Sequence, residues 1–215
     1  MTAPASRYLC LLLASLVLVA TSALALSAGP PVAEAQAAPT STPTPTPVAG
    51  ACPCSLWSGA ATPALANEND LNPIEVGVKF RSSVAGLVTG VRFYKGGLNT
   101  GTHTAHLWSR TGTLLASATF TGETASGWQQ VTFATPVTIA ANTTYVASYY
   151  APVGRYAVDE DYFAGRSVTN GPLTALADGT DGGNGVYRYG TGGGFPNLTY
   201  RTENYWVDVV FSPTP

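Results

Sequence analysis

Apolar and polar residues alternate along most of the chain after residue 70, and short clusters rich in glycine, asparagine and threonine separate the alternating segments. In one such segment, Val91 and Phe93 point to one side of an extended chain while Arg92 and Tyr94 point to the other. A period of two is typical of antiparallel strands that bury one face. The pattern predicts about eight strands, at residues 74–80, 87–95, 104–109, 114–120, 128–133, 143–150, 186–189 and 204–211.

No segment beyond residue 50 has the periodicity of an amphipathic helix of ordinary length. Many short strands without helices between them pack as a sandwich, a jelly roll or a closed barrel. We therefore predict an all-β fold for residues 51–215, an antiparallel β-sandwich that is jelly-roll-like. The pattern leaves the order of the strands open.

The first 26 residues are predicted to be a secretory signal peptide. Arg7 precedes an uninterrupted apolar run over residues 8–26, and small residues follow that run. Small-x-small triplets occur at residues 23–25 and again as late as 35–37, so that cleavage as late as residue 37 fits equally well. A retained membrane anchor is the alternative, because the run is almost long enough to span a bilayer. We expect a secreted, extracellular protein with no membrane contact after cleavage.

Residues 27–50 are predicted to be a linker. Alanine, proline and threonine dominate this segment, and prolines alternate with other residues at positions 39–47. Such prolines lack amide donors and hold an extended backbone, so that the segment cannot join a sheet. We expect a solvated spacer ahead of the folded domain.

Composition and charge exclude a nucleic-acid partner in this interpretation. The chain has 10 Lys and Arg residues against 12 Asp and Glu, for a net charge of -2, and lysine occurs only at positions 79 and 95. A protein that neutralises phosphates needs a basic surface, and this composition offers none.

Several motifs carry a family resemblance. They are VGVKFRSSVAGLVTGVRFYKGGLNTGTHTAHLWSRTGTLLASATFTGETASGWQQVTF, TTYVASYYAPVGRYAVDEDYF, GVYRYG and NYWVDVVF, in this order. Together they resemble the domain of unknown function 4082 family over nearly the whole chain after the linker. The resemblance implies an extracellular bacterial module of the kind found beside immunoglobulin-like, fibronectin-like or carbohydrate-active domains. It implies no catalytic residues.

Strand parity also yields candidate binding residues. If the aliphatic and Phe positions of the strands fill the core, a set of aromatic and charged side chains must occupy the opposite faces. Aromatic faces beside charged groups suit sugar binding. The alternatives are a second small core under a loop, or strands that belong to different sheets. The predicted ligand-binding residues are Arg92, Tyr94, His106, Trp108, Tyr150, Trp206 and Asp208.

No catalytic constellation is readable in the sequence. There is no Gly-x-Ser-x-Gly elbow, and the carboxylates of Asp159 and Asp161 are expected to be solvated loop residues. His103 and His106 are three residues apart on one strand and should face opposite sides, which argues against a shared metal. We predict that the protein is not an enzyme.

Two further hypotheses concern calcium and the cysteines. Asp178, Asp181 and Asn184 lie among glycines, as the oxygen ligands of a calcium loop do, but the EF-hand spacing is absent and a flexible turn explains them as well. No other cofactor is predicted. Cys52 and Cys54 could form a local disulfide, remain thiols or pair with another chain.

The functional expectation is a non-catalytic recognition module that binds carbohydrate or another cell-surface polymer through a sheet face or loops. A structural or adhesive domain with a protein partner is the second hypothesis. A glycan-active enzyme is the third.

Overall fold

The computed structural model describes residues 52–214, so that the predicted signal peptide and linker lie outside the described residues. Between residues 52 and 214 the chain forms strands, turns and loops without a helix, and hence no helix that could cross a membrane. The strands are β1 Ile74–Ser82, β2 Gly86–Lys95, β3 Thr104–Ser109, β4 Leu114–Thr119, β5 Gly127–Ile139, β6 Tyr145–Ala151, β7 Val168–Asn170, β8 Leu173–Ala175, β9 Val186–Tyr189, β10 Leu198–Thr199 and β11 Val207–Pro213.

The strands form two antiparallel sheets. The larger has the order β10-β9-β1-β6-β3-β4, and β8 pairs with both β1 and β7 beside this path. The smaller has the order β11-β2-β5. Neither sheet closes on itself, because each path ends in an edge strand. The predicted all-β sandwich is therefore confirmed.

The core lies between the sheets and contains the residues that the alternation assigned to it. Val91 and Phe93 of β2 and Val209 of β11 are fully buried, as is Leu107 of β3 in the facing sheet. The ring of Phe93 stacks on that of Tyr149 in β6, with 3.9 Å between centroids. This stacking joins the two sheets directly at the centre of the sandwich.

All eight predicted strands are present, and the differences have local causes. The three strands that the pattern did not predict, β7, β8 and β10, have only two or three residues, too few to show a period. Strand β5 continues to Ile139 through Pro136, which a central strand would not tolerate. At the edge of the small sheet the missing amide of Pro136 costs little.

Candidate functional site

The seven predicted ligand-binding residues do not form one surface. Arg92 and Tyr94 on β2, with Trp206 and Asp208 at β11, belong to the small sheet. The other three, His106, Trp108 and Tyr150, belong to the large sheet. Since the sheets face each other across the core, their outer faces lie on opposite sides of the domain. Parity identifies the face of a strand but not its sheet, which explains why the sequence grouped these residues.

The rings on the outer face of the small sheet form a second small core. Trp206 is buried, and its ring centroid lies 5.9 Å from Trp57, 6.5 Å from Tyr94 and 6.0 Å from Tyr162. Trp128 joins the cluster at 6.1 Å from Trp206. These rings pack against one another under covering segments, so that they serve the fold in this structure.

Asp208 anchors the segment that covers this face. Its carboxylate accepts hydrogen bonds from the backbone amides of Leu56 and Trp57, at 2.6 and 3.2 Å, and from Nε of Arg92 at 2.8 Å. Burial raises the pKa of Asp208, while the Arg92 guanidinium opposes that shift. Both carboxylate oxygens of Asp208 thus accept hydrogen bonds from other groups of the protein.

The group on the large sheet surrounds a buried carboxylate. Glu75 on β1 is fully buried, and its Oε1 accepts hydrogen bonds from the hydroxyl of Ser148 and from Nδ1 of His106, the latter at 2.8 Å. Trp108 donates its Nε1 hydrogen to Ser148 at 2.8 Å. Gly193 lies directly over Oε2 of Glu75, where a side chain would collide with it. Ser148 and His106 bind the same oxygen rather than each other, so that they are not a nucleophile and its base.

The three residues of the calcium hypothesis are bound by protein groups. Asp181 accepts hydrogen bonds from Nε of Arg110 at 2.7 Å and from the hydroxyl of Thr144 at 2.6 Å, and these hold the pKa of its carboxyl well below the ordinary value. Asn184 is buried and bonds to the backbone of Lys79, and Asp178 accepts the amide hydrogen of Asn184. Within residues 52–214 no group of three or more His, Cys, Asp or Glu side chains is placed to hold a metal ion.

Cys52 and Cys54 form a disulfide with each other. Backbone hydrogen bonds in both directions join Cys54 to Phe211 on β11, at 2.7 and 2.9 Å. The start of the described chain is thereby attached to the edge of the small sheet.

The sequence did not predict one surface concavity of the described domain. It is a cleft of about 520 Å³, which we call the tyrosine cleft, at the end of the large sheet where β1 begins and β9 ends. Five tyrosines and four carboxylates dominate its walls. The lining residues are Glu68, Asn69, Asp70, Ile74, Tyr156, Glu160, Tyr187, Tyr189, Tyr200, Glu203 and Tyr205.

The tyrosines of the tyrosine cleft differ in how far they are exposed to solvent. Tyr187 and Tyr189 share one face of β9, with 5.5 Å between ring centroids, and Tyr156 packs edge-on against Tyr205 at the same distance. Tyr189 is 48% exposed and Tyr200 is 58% exposed. The inner rings are therefore held by packing, while Tyr189 and Tyr200 are exposed to solvent.

Hydrogen bonds orient the rim of the tyrosine cleft. The hydroxyl of Tyr189 donates to Oδ2 of Asp70 at 2.6 Å, and the amide of Asn72 donates to Oδ1 of Asp70 at 2.9 Å. Burial of Asp70 opposes ionisation, but these hydrogen bonds outweigh it and lower the pKa of Asp70. For Tyr189, burial and then the bond to Asp70 raise the pKa to about 12. Asp70 is thus an ionised acceptor at neutral pH.

Glu203 lies at the inner wall of the cleft and is only 7% exposed. Burial raises the pKa of its carboxyl, the hydrogen bond with Tyr205 lowers it, and the negative charges of Glu160 and Glu68 raise it further. Glu160 is itself paired with Arg201 at 2.7 Å. The lining contains no lysine, arginine or histidine, so that its ionisable side chains are all carboxylates and tyrosines.

Backbone contacts hold the separate segments of the cleft together. The amide of Glu68 donates to the carbonyl of Tyr156 at 2.8 Å, and the amide of Arg155 donates to the carbonyl of Asp70 at 2.8 Å. Gly185, at φ 55°, lies against the backbone of Glu203, where any side chain would overlap the Glu203 carbonyl. A glycine is required there for the loop carrying Glu203 to approach β9.

The comparison with protein families gives one result that covers most of the chain. The family model described as "Domain of unknown function (DUF4082)" matches residues 60–207. The chain belongs to the DUF4082 family. This confirms the resemblance that the sequence motifs carried. A search of curated proteins gave no match.

The DUF4082 match includes all residues that line the tyrosine cleft. The sequence contained a signal for this site, since four of its eleven tyrosines lie between residues 187 and 205. A period of two does not reveal the site, because Tyr200, Glu203 and Tyr205 lie on a loop and a strand pattern does not describe the path of a loop. The described DUF4082 residues give no sign of catalysis, because neither histidine is hydrogen-bonded to a serine or cysteine.

Proposed function

We propose that the protein is exported and that its DUF4082 domain is a non-catalytic recognition module that binds carbohydrate in the tyrosine cleft. The observation that carries the proposal is the combination of exposed tyrosine rings and carboxylates in the lining of one concavity. Aromatic faces pack on the apolar side of a pyranose, and carboxylates accept hydrogen bonds from its hydroxyls.

The size of the cleft supports a ligand of one or a few sugar rings. Its volume of about 520 Å³ falls within the range of roughly 300–1,000 Å³ that is common for small-ligand sites. Tyr189 and Tyr200 are the exposed rings available for stacking, and Asp70 is held by Tyr189 in a fixed orientation. A preorganised site of this kind loses little conformational entropy when a ligand binds.

Export is supported by the sequence before the domain and by the cysteines. The apolar run over residues 8–26 favours a secretory signal, and the segment 27–50 favours an extended spacer. The disulfide between Cys52 and Cys54 suits an oxidising compartment. A spacer would hold the recognition module away from whatever lies on its amino-terminal side.

A glycan array probed with the purified protein and with Tyr200→Ala tests the proposal. Loss of the stacking ring should weaken binding about tenfold, which corresponds to about 1.4 kcal/mol. Leu198→Ala is the matched control, because Leu198 is 50% exposed and close in sequence but does not line the cleft. We expect Leu198→Ala to bind like the wild type.

Two results would contradict the proposal. Absence of binding to every glycan would favour the protein-partner hypothesis, as would binding that Tyr200→Ala leaves unchanged. Release of shortened glycans or new reducing ends during incubation would contradict a non-catalytic role.

A further inference from the structure

We infer that the tyrosine cleft selects glycans that carry free, protonated amino groups over neutral glycans. This inference rests on the proposed carbohydrate-binding function and names the ligand class of the same site. It follows from the charge of the lining, from a buried carboxylate in that lining, and from the aromatic rings that line the same cleft.

The charged side chains in the lining are all acidic. Four carboxylates line the cleft, and no basic side chain does. Glu160 is partly neutralised by Arg201, which lies outside the lining. No ion pair within residues 52–214 involves Glu68, Asp70 or Glu203. The cleft therefore attracts a cation and repels acidic sugars.

Glu203 provides the second, independent observation. It is 7% exposed and lines the cleft, and its carboxylate takes part in none of the ion pairs within residues 52–214. A carboxylate removed from water needs a charged partner to offset its desolvation. An ammonium group bound in the cleft would supply that partner and up to three hydrogen-bond donors.

The other cations near the cleft are directed elsewhere. Arg155 donates to the side chain of Asn69 at 2.8 Å, and Arg188 donates to the carbonyl of Gly193 at 2.8 Å. Arg201 pairs with Glu160 and with Asp161. These contacts leave Glu203 and Glu68 for a positive group that comes from the ligand.

The aromatic rings favour the same ligand. A cation close to a tyrosine face is attracted by the negative face of the ring, in addition to its attraction to carboxylates. Tyr187, Tyr189 and Tyr200 lie in the lining together with Glu203. A sugar with an ammonium substituent would bind both kinds of lining residue, because its ring would stack on a tyrosine and its ammonium group would pair with a carboxylate.

Three tetrasaccharides that differ at one position test the inference in the full-length protein. They are the β-1,4-linked oligomers of glucosamine, N-acetylglucosamine and glucose, which place an ammonium, an acetamide or a hydroxyl at carbon 2. Calorimetry at about pH 6, where amino groups are protonated, should give at least about tenfold tighter binding for the glucosamine oligomer. The advantage should shrink on going from about 0.05 to 0.5 M salt, because screening weakens charge pairing.

Charge-neutralising variants locate the effect. Glu203→Gln and Glu68→Gln should each lower the ratio of glucosamine-oligomer to glucose-oligomer affinity about tenfold, because a neutral amide still accepts a hydrogen bond from a hydroxyl but no longer pairs with an ammonium group. Asp161→Asn removes the same charge from an exposed residue beside the cleft but outside its lining, and should change neither affinity. Thermal unfolding of each variant verifies that it is folded.

The outcomes separate this inference from the proposed function. Equal binding of the three oligomers, lost in Tyr200→Ala, would overturn the selection of amines and leave carbohydrate binding standing. Preference for the glucosamine oligomer that persists in both glutamate variants would also overturn the inference. If neither these oligomers nor any arrayed glycan binds, the proposed function itself fails.

Discussion

Arg92 and Asp208 lie opposite each other on β2 and β11, and Nε of the guanidinium is 2.8 Å from Oδ2 of the buried carboxylate. Both residues are on the outer face of the small sheet, and both are hydrogen-bonded within the protein. The same carboxylate binds the amides of Leu56 and Trp57. The pair therefore joins the start of the domain to its last strand.

Removal of this charge should destabilise the domain strongly. Asp208→Asn leaves the Arg92 guanidinium without its partner and weakens the acceptor for two amides, so that a loss of about 3–5 kcal/mol in the free energy of unfolding is expected. Urea denaturation measures it. Asp161→Asn, at an exposed carboxylate paired with Arg201, should cost less than about 1 kcal/mol. Equal effects of the two substitutions would contradict a structural role for Asp208.

Calcium should have no effect on stability through the loop at residues 178–185. The carboxylate of Asp181 already accepts hydrogen bonds from Arg110 and Thr144, and Arg81 lies 3.4 Å away. Asp181→Asn should lower the free energy of unfolding by about 1.5–3 kcal/mol, because these are bonds to a charged acceptor. A rise in melting temperature on adding millimolar calcium, abolished by a chelator, would show that the loop does bind the ion.

The loop that carries Glu203 should depend on Gly185. Gly185→Ala forces a side chain to overlap the Glu203 carbonyl at a positive φ, so that a loss of about 1–3 kcal/mol is expected, together with weaker glycan binding. Gly97→Ala is the control, since no atom lies within 4 Å of the added methyl group. That variant should change the free energy of unfolding by less than about 0.5 kcal/mol.

The charge of Glu203 should reduce the stability of the fold. Burial raises the pKa of Glu203 above the ordinary value of 4.5, and the negative charges of Glu160 and Glu68 raise it further. The hydrogen bond with Tyr205 and the charge of Arg201 lower it in part. The stability contributed by this group is present below that ordinary pKa and is lost as the pH rises through the folded-state pKa.

Glu203→Gln mimics the protonated form at every pH. Relative to the wild type, the variant should therefore become more stable as the pH rises from about 4 to 7. Denaturation at both pH values measures the change. A difference between the two proteins that is independent of pH would show that Glu203 titrates as an ordinary exposed carboxylate.

The sequence predicted the sandwich well, because the local alternation of apolar and polar residues indicates which side chains of each strand are buried. Val91, Phe93 and Val209 are buried where a period of two places them. The extended backbone of the last strand does not reach back beyond Val207, because Trp206 has a φ of 54° and turns the chain there. The predicted strand over residues 204–211 consequently begins at Val207.

The candidate site was less predictable, for physical reasons. Tyr94 and His106 share a parity but lie in different sheets, and strand order is not encoded in local pattern. The tyrosine cleft joins residues from position 68 to position 205, brought together by loops. Among its tyrosines, only Tyr187 and Tyr189 lie on a strand, where alternation could have indicated a shared face.

The central claim is that carbohydrate binds in the tyrosine cleft and not on a sheet face. NMR chemical-shift mapping with the tightest-binding glycan tests it most directly, because one titration reports on the whole domain. We predict shifts concentrated at the amides of Tyr189, Tyr200 and Glu203. Shifts concentrated at His106 and Trp108 instead, with the cleft unaffected, would contradict the claim.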